Sequence, residues 1–313
     1  MRRLVAETRL SVDDLVAPLF VREGINEPAP IASMPGQFQH TVASLLTEAK
    51  RLSSLGVPAI VLFGVPVHKD ATGSGASDPD GIVQVALREL RGALVDELVL
   101  IADLCLDEYT DHGHCGLVRA DGTVDNDATL ERYRDVAVTQ AAAGADVVAP
   151  SGMMDGQVGA IRHALDGHGF EETAVLAYAA KYASALYGPF RDAVDVTIAG
   201  GGDRRSYQQD PANRREALAE VDLDVAEGAD MVMVKPALTN LDVIAQVRQR
   251  VDLPICAYQV SGEYAMVKAA ASAGYLDERA TAMEILTSLR RAGADTIITY
   301  HAKDAATWLA EQS

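Results

Sequence analysis

Short apolar runs alternate with amphipathic stretches along the chain. Eight of the apolar runs lack the period-two alternation of half-exposed strands, which is typical of strands buried on both faces of a parallel sheet. The predicted strands are Leu15–Val21, Ala59–Phe63, Leu98–Cys105, Asp146–Pro150, Ala174–Lys181, Asp230–Lys235, Pro254–Val260 and Thr296–Tyr300. The amphipathic stretches predict helices at Val42–Leu55, Gly81–Leu94, Thr129–Ala142, Asp155–Leu165, Pro211–Glu227, Asn240–Arg250, Glu263–Ala273 and Asp277–Ala292.

Local signals mark several helix ends. Asp210-Pro211 predicts a helix start, with an N-cap acid followed by proline at the first helical position. A Gly-Ala-Asp triplet predicts a helix C-cap that leads into a strand, and it occurs at Gly144–Asp146, Gly228–Asp230 and Gly293–Asp295. Regular alternation without a linker predicts one α/β domain over residues 1–313, a single (β/α)8 TIM barrel. A doubly wound open sheet is the alternative, but no Gly-x-Gly-x-x-Gly follows the first strand to support it.

Two of the predicted strands end in lysine, at Lys181 and Lys235. A lysine in this position keeps its stem against the core and points its amine into a cavity mouth. Burial disfavours the ammonium form and lowers the pKa, which makes neutral amine available as a nucleophile. The alternative for either lysine is an amine that reaches water or pairs with an acid. Two lysines at equivalent strand ends favour Schiff-base chemistry.

Other polar side chains also gather at predicted strand ends, where the active sites of such barrels lie. These residues are Asp103, Cys105, Ser151, Ser261 and Tyr300. Structural residues have no reason to concentrate on that one rim. The pattern therefore indicates an enzyme.

Two loops contain further clusters. Cys105, Asp107 and Cys115 could converge on a metal ion, or they could be incidental thiols in a glycine-containing loop, and spacing alone leaves both readings open. His112 and His114 are expected to be loop hydrogen-bonders. The glycine-rich stretch 199–205 ends in two arginines, which suggests a mobile flap that delivers guanidinium groups to a carboxylate or phosphate. A solvated basic loop is the alternative there.

Composition and charge narrow the function classes. The 313 residues are 49% hydrophobic and 23% charged, which is enough material for a sizeable core. A net charge of −18 argues against nonspecific binding to nucleic acid or to an anionic membrane. The sequence contains no uncharged run of 18 apolar residues and no apolar signal core at its start, so the cytoplasm is the expected compartment. Three cysteines fit a reducing compartment.

Three longer strings resemble the porphobilinogen synthase family, also called 5-aminolevulinate dehydratases. The strings are Lys181–Asp192, Met233–Pro236 and Tyr258–Met266, and the likeness is collinear from about Leu10 to Tyr300. Asp155-Gly-Gln and His112-Gly-His-Cys-Gly agree as well. The resemblance implies a TIM barrel that condenses two molecules of 5-aminolevulinate into porphobilinogen, with loss of two waters, in tetrapyrrole (haem) biosynthesis. It implies no organic cofactor.

The resemblance also implies roles for individual residues. Lys235 matches the lysine that forms a Schiff base with the propionate-side substrate, and Lys181 matches the lysine that engages the acetate-side substrate. Asp103 and Ser151 match polar groups around the reacting amine, with Asp103 as a proton-transfer partner. The remaining matches concern substrate binding. Ser261 and Tyr300 match residues that bind the propionate-side carboxylate, and Arg191, Arg204 and Gln208 match residues that bind the acetate-side carboxylate. Tyr187 and Phe190 match residues of the same site.

Metal binding is where the sequence departs from the zinc-dependent members of the family. Asp107 stands where the middle of three cysteines would be, between Cys105 and Cys115, and a carboxylate weakens the preference for Zn²⁺. Glu220, with Asp155 nearby in the family fold, matches the acid that binds an activating Mg²⁺ away from the active site. The favoured cofactor is therefore allosteric Mg²⁺, and Zn²⁺ is the alternative.

Assembly and competing functions complete the expectations. Residues 1–12 match an N-terminal arm that in the family builds dimers into an octamer, so a homo-octamer is expected. Because the arm looks truncated here, a hexamer is the alternative. A class I aldolase would need phosphate-binding glycines after the last two strands, where Ser261-Gly-Glu and Tyr300-His-Ala stand instead. A non-catalytic barrel that acts as a binding partner would predict loss of the strand-end residues, which are present.

Overall fold

The computed structural model describes residues 1, 4–199 and 202–311. The strands in this part of the chain are β1 (Leu15–Arg22), β2 (Ala29–Pro30), β3 (Phe38–His40), β4 (Ala59–Val65), β5 (Val99–Leu104), β6 (Val147–Pro150), β7 (Ala174–Lys181), β8 (Met231–Lys235), β9 (Ile255–Gln259) and β10 (Thr296–Thr299). The α-helices are α1 (Val42–Ser54), α2 (Ile82–Leu94), α3 (Asn126–Ala142), α4 (Gln157–Gly167), α5 (Gly188–Ala193), α6 (Arg214–Ala226), α7 (Leu241–Arg250), α8 (Ser261–Ser272), α9 (Glu278–Ala292) and α10 (Ala302–Ala310).

Eight parallel strands close into a barrel. β1 and β4 to β10 are neighbours in chain order, and β10 pairs with β1, where Leu15 lies opposite Ile297. The two short strands β2 and β3 extend the sheet outside the barrel, beside the end of β1. The TIM-barrel prediction is confirmed, and all eight predicted strands coincide with barrel strands. None of the helices in the described residues is both long and apolar enough to cross a lipid bilayer.

The core has two layers of different composition. Aliphatic and alanine side chains fill the outer layer between strands and helices, as at Leu87 and Val243. The barrel interior is rich in aromatic rings, including Phe20, Phe63 and Tyr178. The rings of Phe20 and Phe63 lie 5.6 Å apart. These rings lie among branched residues such as Val61 and Ile298, the type that usually fills such barrels, and they give the interior large flat faces.

The three Gly-Ala-Asp triplets each form the same structure. Each glycine follows a helix with φ between +102° and +124°, a conformation that glycine adopts without steric cost. Each aspartate then accepts a hydrogen bond from a backbone amide at the start of the preceding strand. We call these residues the aspartate clamps: Asp146 on the amide of Leu100 at 2.7 Å, Asp230 on Val175 at 2.8 Å, and Asp295 on Ile255 at 2.9 Å. The C-cap prediction is confirmed.

One predicted helix starts at a different residue, and two helices were not predicted. The helix expected from Asp210-Pro211 begins at Arg214 instead. Asp210 forms a turn, because its side chain accepts the amide of Ala212 at 2.9 Å and its carbonyl accepts the amide of Asn213 at 2.8 Å. The helices α5 and α10 had no counterpart in the sequence prediction, since α5 has only six residues and α10 follows the last strand.

The first residues of the chain project from the barrel. Leu4 and Val5 are 83% and 76% exposed, and no strand or α-helix precedes β1 among the described residues. Residues 2 and 3 of the expected arm lie outside the described residues, as do Gly200 and Gly201 of the expected flap.

Candidate active site

Lys181 and Lys235 lie side by side at the rim of the barrel. They are direct partners in the register of β7 and β8, and both are buried. A local irregularity in β7 between Ala177 and Ala180 produces this alignment. Leu176 and Tyr178 face the barrel interior, so regular alternation would send Lys181 outward. The extra residue places Ala180 in the outer layer and turns Lys181 inward, as a β-bulge does.

Aromatic rings surround the amine of Lys235. Its Nζ lies 4.4 to 5.4 Å from the centroids of four rings, those of Tyr178, Tyr187, Phe190 and Tyr258. Burial lowers the pKa of Lys235 to about 7, and the positive charge of Lys181 lowers it further in the same direction. Neutral amine is therefore abundant near pH 7. Sequence reasoning identified Tyr187 and Phe190 but missed the two ring residues that lie within strands.

Asp103 connects the lysines to the neighbouring strands. Its carboxylate accepts hydrogen bonds from the Ser151 hydroxyl at 3.2 Å and from the Tyr178 hydroxyl at 3.0 Å. Lys181 Nζ donates to the main-chain carbonyl of Ser151. Burial raises the pKa of Asp103 to about 6, against the opposing effect of the charge on Lys235. A carboxyl group with this pKa can take up or release a proton near neutral pH.

Both lysines line a cavity of about 470 Å³. Arg191, Arg204 and Gln208, which the family resemblance assigns to the acetate-side carboxylate, line it as well. Burial lowers the pKa of Arg191, and the charge of Arg204 lowers it further, so two cations are held together. Gln208 Nε2 has no hydrogen-bond partner among the described residues. This combination of donors suits a carboxylate ligand.

A buried ion pair joins two loops that the sequence presented as separate clusters. Arg204 lies 2.8 Å from Asp107, and their side chains are 10% and 5% exposed. Arg204 also donates to the carbonyl of Gly113 at 2.8 Å. Burial alone raises the pKa of Asp107, but the charge of Arg204 holds it below its usual range. Glu108, also buried, was missed by sequence reasoning; burial and then the charge of Asp107 raise its pKa.

The same loop brings three potential metal ligands together. One ligand atom each from Cys105, Asp107 and Cys115 lie within 4.8 Å of one another, and all three residues are buried. A hydrogen bond with Cys105 lowers the pKa of Cys115 to about 7, which favours thiolate. Two sulfurs and a carboxylate fit a divalent metal ion. The carboxylate of Asp107, however, also forms the ion pair with Arg204.

The two loop histidines are occupied by local hydrogen bonds, as expected. His112 Nδ1 accepts the amide of His114 at 3.1 Å. The imidazole of His114 contacts the hydroxyl of Tyr207 at 3.2 Å. Neither residue is part of the ligand cluster at Cys105 in the described structure. Their contacts instead hold the shape of the loop that carries Cys115.

Glu220 and Asp155, which the family resemblance assigns to a Mg²⁺ site, share a second cavity of about 510 Å³. Asn126 and Glu216 also line it, which adds oxygen donors. Burial raises the pKa of Glu220, and the negative charge of Asp155 raises it further. A hard divalent cation with oxygen ligands would relieve that repulsion.

Ser261 and Tyr300, which the family resemblance assigns to the propionate-side carboxylate, contact residues next to the lysines. Ser261 Oγ accepts the amide of Phe190 at 2.9 Å, and the Tyr300 hydroxyl contacts the Tyr258 hydroxyl at 3.0 Å. Within the described part of the chain, neither residue lines the cavity that holds both lysines. Their assignment to the propionate-side carboxylate stays a prediction.

A buried acid that sequence reasoning missed ties two strand-end loops together. The carboxylate of Glu263 accepts the amide of Leu238 at 2.7 Å, in the loop after Lys235, and the amide of Val260 at 2.5 Å. Glu263 is the third residue of α8, a position at which glutamate commonly bonds the N-cap amide. The predicted helix began at Glu263 itself and therefore did not show this signal. This carboxylate holds the loop after Lys235 against the N-terminus of α8.

Comparisons with known proteins agree with one another. The family model described as Delta-aminolevulinic acid dehydratase matches residues 1–308. The chain is 58% identical to the delta-aminolevulinic acid dehydratase of Streptomyces coelicolor over 98% of this chain and 93% of that protein. It is 57% identical to that of Mycobacterium tuberculosis H37Rv, over 99% and 94%.

A solved structure gives the same match. The crystal structure of delta-aminolevulinic acid dehydratase (porphobilinogen synthase) from Toxoplasma gondii, in complex with the product porphobilinogen, has a TM-score of 0.98 to this chain. The two sequences are 47% identical, and the match covers 100% of this chain and 89% of that one.

Proposed function

The chain belongs to the delta-aminolevulinic acid dehydratase family, and we propose that it condenses two molecules of 5-aminolevulinate into porphobilinogen through Schiff bases on Lys235 and Lys181. One observation carries the proposal. The two buried lysines are register partners at the carboxyl ends of β7 and β8, and both line one cavity with arginines. A single-lysine aldolase would have no use for the second amine.

The first step uses the neutral amine of Lys235. It attacks the ketone carbon of one substrate; the ketone oxygen leaves as water and a protonated imine forms. That protonated imine is an electron sink, so its carbon can accept a carbon–carbon bond near neutral pH. The bond comes from the second substrate, whose carbon next to its own ketone group loses a proton more readily once Lys181 holds it as an imine. The aromatic faces around Lys235 support the cationic imine through cation–π contacts. Asp103 is the group positioned to move protons at the lysines.

The second substrate binds at Lys181, next to the arginines. Bidentate guanidinium groups recognise carboxylates well, and Arg191 makes no salt bridge to a described residue. Arg204 is already paired with Asp107, so it would have to share its guanidinium between that carboxylate and the one on the substrate. Gln208 supplies an unused amide donor. The second ketone oxygen leaves as water when Lys181 forms its imine. The amine of the first substrate then attacks that imine carbon, forms the carbon–nitrogen bond of the ring and displaces Lys181, and Lys235 leaves with loss of a ring proton.

A trapping experiment tests the proposal. Incubation with 5-aminolevulinate and borohydride should reduce an imine on Lys235, located by mass spectrometry of the digested protein. Lys235→Met is the control and should carry no adduct at this position. Porphobilinogen formation should disappear in Lys181→Met while the Lys235 adduct persists. Absence of an adduct on Lys235 in the wild-type protein would refute the mechanism.

For the metals, we infer that Mg²⁺ is the activating ion and that Glu220, with Asp155, holds it. The shared cavity and the raised pKa of Glu220 support this inference. Cys105, Asp107 and Cys115 could instead hold Zn²⁺, which would supply a Lewis acid close to the reacting groups. The ion pair with Arg204 occupies Asp107 and argues for Mg²⁺. Loss of turnover with a zinc-selective chelator would contradict this choice; EDTA followed by Mg²⁺ restores activity if it is right.

We also propose a homo-octamer, with a hexamer as the alternative. The exposed apolar side chains of Leu4 and Val5 support docking of residues 1–12 on another copy of the chain. Light scattering coupled to size-exclusion chromatography gives the mass directly. A monomer at micromolar concentration would contradict both assemblies.

A further inference from the structure

A second cluster of potential metal ligands lies among the last three helices. Glu278 is the first residue of α9, His301 lies between β10 and α10, and Asp304 is in the first turn of α10. One ligand atom from each lies within 4.8 Å of the other two. None of the three lines the lysine cavity or the cavity of Glu220. The proposed reaction therefore makes no use of them.

The imidazole of His301 is the distinctive part of this cluster. The residue is fully buried, and neither ring nitrogen has a hydrogen-bond partner among the described residues. Its ring packs against Tyr264, with centroids 4.6 Å apart, and lies 6.5 Å from the ring of Trp308. Buried polar atoms without partners are rare because they forfeit the hydrogen bonds they made in water. Here a ring nitrogen lies within 4.8 Å of a carboxylate oxygen of Glu278 and of Asp304.

The basic residues nearby satisfy only part of the cluster. Lys268 pairs with Glu278 at 2.6 Å. Among the described residues, no lysine or arginine forms an ion pair with Asp304, and its neighbour Lys303 pairs with Glu48 instead. A neutral imidazole nitrogen without a hydrogen-bond partner can act as a metal ligand. Counting Lys268, the cluster carries one excess negative charge.

We propose that Glu278, His301 and Asp304 form a binding site for a divalent transition-metal ion such as Zn²⁺. Imidazole nitrogen and carboxylate oxygen are both ligand types that this ion accepts, and water would complete four-coordination. The ammonium group of Lys268 moves to solvent when the cation takes its place on Glu278. The bound ion links α9, through Glu278, to α10, through Asp304. Its role is structural.

Cobalt(II) is the probe that separates this site from the cysteine cluster. Co²⁺ bound by nitrogen and oxygen gives only d–d absorption, whereas Co²⁺ bound by Cys105 and Cys115 adds thiolate charge-transfer absorption. With excess Mg²⁺ present to occupy the cavity of Glu220, we expect wild-type protein to bind one equivalent of Co²⁺ without the charge-transfer band. His301→Phe keeps an aromatic ring against Tyr264 and should lose that equivalent.

Two further variants complete the design. Asp304→Asn, at a half-buried surface position, should weaken the same equivalent by at least tenfold, since even outer-shell partners change metal affinity by roughly 10- to 100-fold. Glu284→Gln on the exposed face of α9 is the matched control and should bind as wild type. Zn²⁺ should raise the melting temperature of wild type but not of Asp304→Asn. The proposal is overturned if folded Asp304→Asn binds Co²⁺ and responds to Zn²⁺ like wild type.

Discussion

Replacing Lys181 with methionine tests how the low pKa of Lys235 arises. A lysine with the ordinary pKa of 10.5 keeps roughly one amine in 3,000 neutral at pH 7, whereas a pKa of about 7 leaves about half neutral. Burial among the aromatic rings and the charge of Lys181 both contribute. The substitution removes the charge, keeps a side chain of similar length and leaves the rings in place.

The size of the charge effect can be worked out from the strand pairing. Register partners on adjacent strands are about 5 Å apart, so the two amines lie at roughly 6 Å. Two unit charges at about 6 Å repel by about 3 kcal/mol at an effective dielectric constant of about 20, which corresponds to about two pH units. In Lys181→Met the pKa of Lys235 should rise by about that amount. The neutral fraction at pH 7 then falls about 50-fold.

The assay is the initial rate of borohydride-trapped adduct on Lys235, measured by mass spectrometry from pH 6 to 10. The wild-type rate should be half-maximal near pH 7, and the Lys181→Met rate about two pH units higher. Both rates rise with pH because deprotonation produces the nucleophile. Lys181→Arg keeps the charge and should retain the wild-type midpoint. A Lys181→Met midpoint within about half a unit of wild type would show that burial alone sets the pKa.

Three further perturbations address the groups around the lysines. Asp103→Asn should lower porphobilinogen formation by about 10²- to 10⁴-fold while the Lys235 adduct still forms; near-normal turnover would remove Asp103 from proton transfer. Arg204→Ala leaves a buried carboxylate at Asp107 and should cost about 3–5 kcal/mol in urea unfolding. Adding Asp107→Asn should recover much of that loss, and no recovery would mean that the cost lies elsewhere. Glu220→Gln should abolish the recovery of EDTA-treated enzyme on addition of Mg²⁺; retained recovery would move the Mg²⁺ site.

The strands were predictable because burial on both faces produces continuous apolar runs that few other structures require. The strand ends then located most of the site, including Lys181, Lys235 and Asp103. Sequence could not give the contacts between distant loops. The pairing of Asp107 with Arg204 joins residues 97 positions apart, and no local pattern records it. The family resemblance supplied the residue roles; residue chemistry alone gave only the lysines and the rim.

Local signals also gave a wrong prediction where one motif is compatible with two structures. Asp210-Pro211 is compatible with a helix start and with a turn, and the turn hydrogen bonds decided the outcome. The bulge in β7 left no trace in an alanine-rich run, because small apolar residues fit either face of the strand. Without the bulge, the side chain of Lys181 would point away from the site.

The aspartate clamps bear on how the barrel is staggered. Closure of eight strands requires a fixed sliding of each strand against the next, and each clamp locks that sliding for one pair. Asp230 fixes the position of β7 against β8, because its carboxylate accepts the amide of Val175 about 15–20 Å below the lysines. From that anchor, the single extra residue in β7 brings Lys181 level with Lys235. The spacing of the two amines is therefore decided at the opposite end of the barrel, by a carboxylate that never meets the substrate.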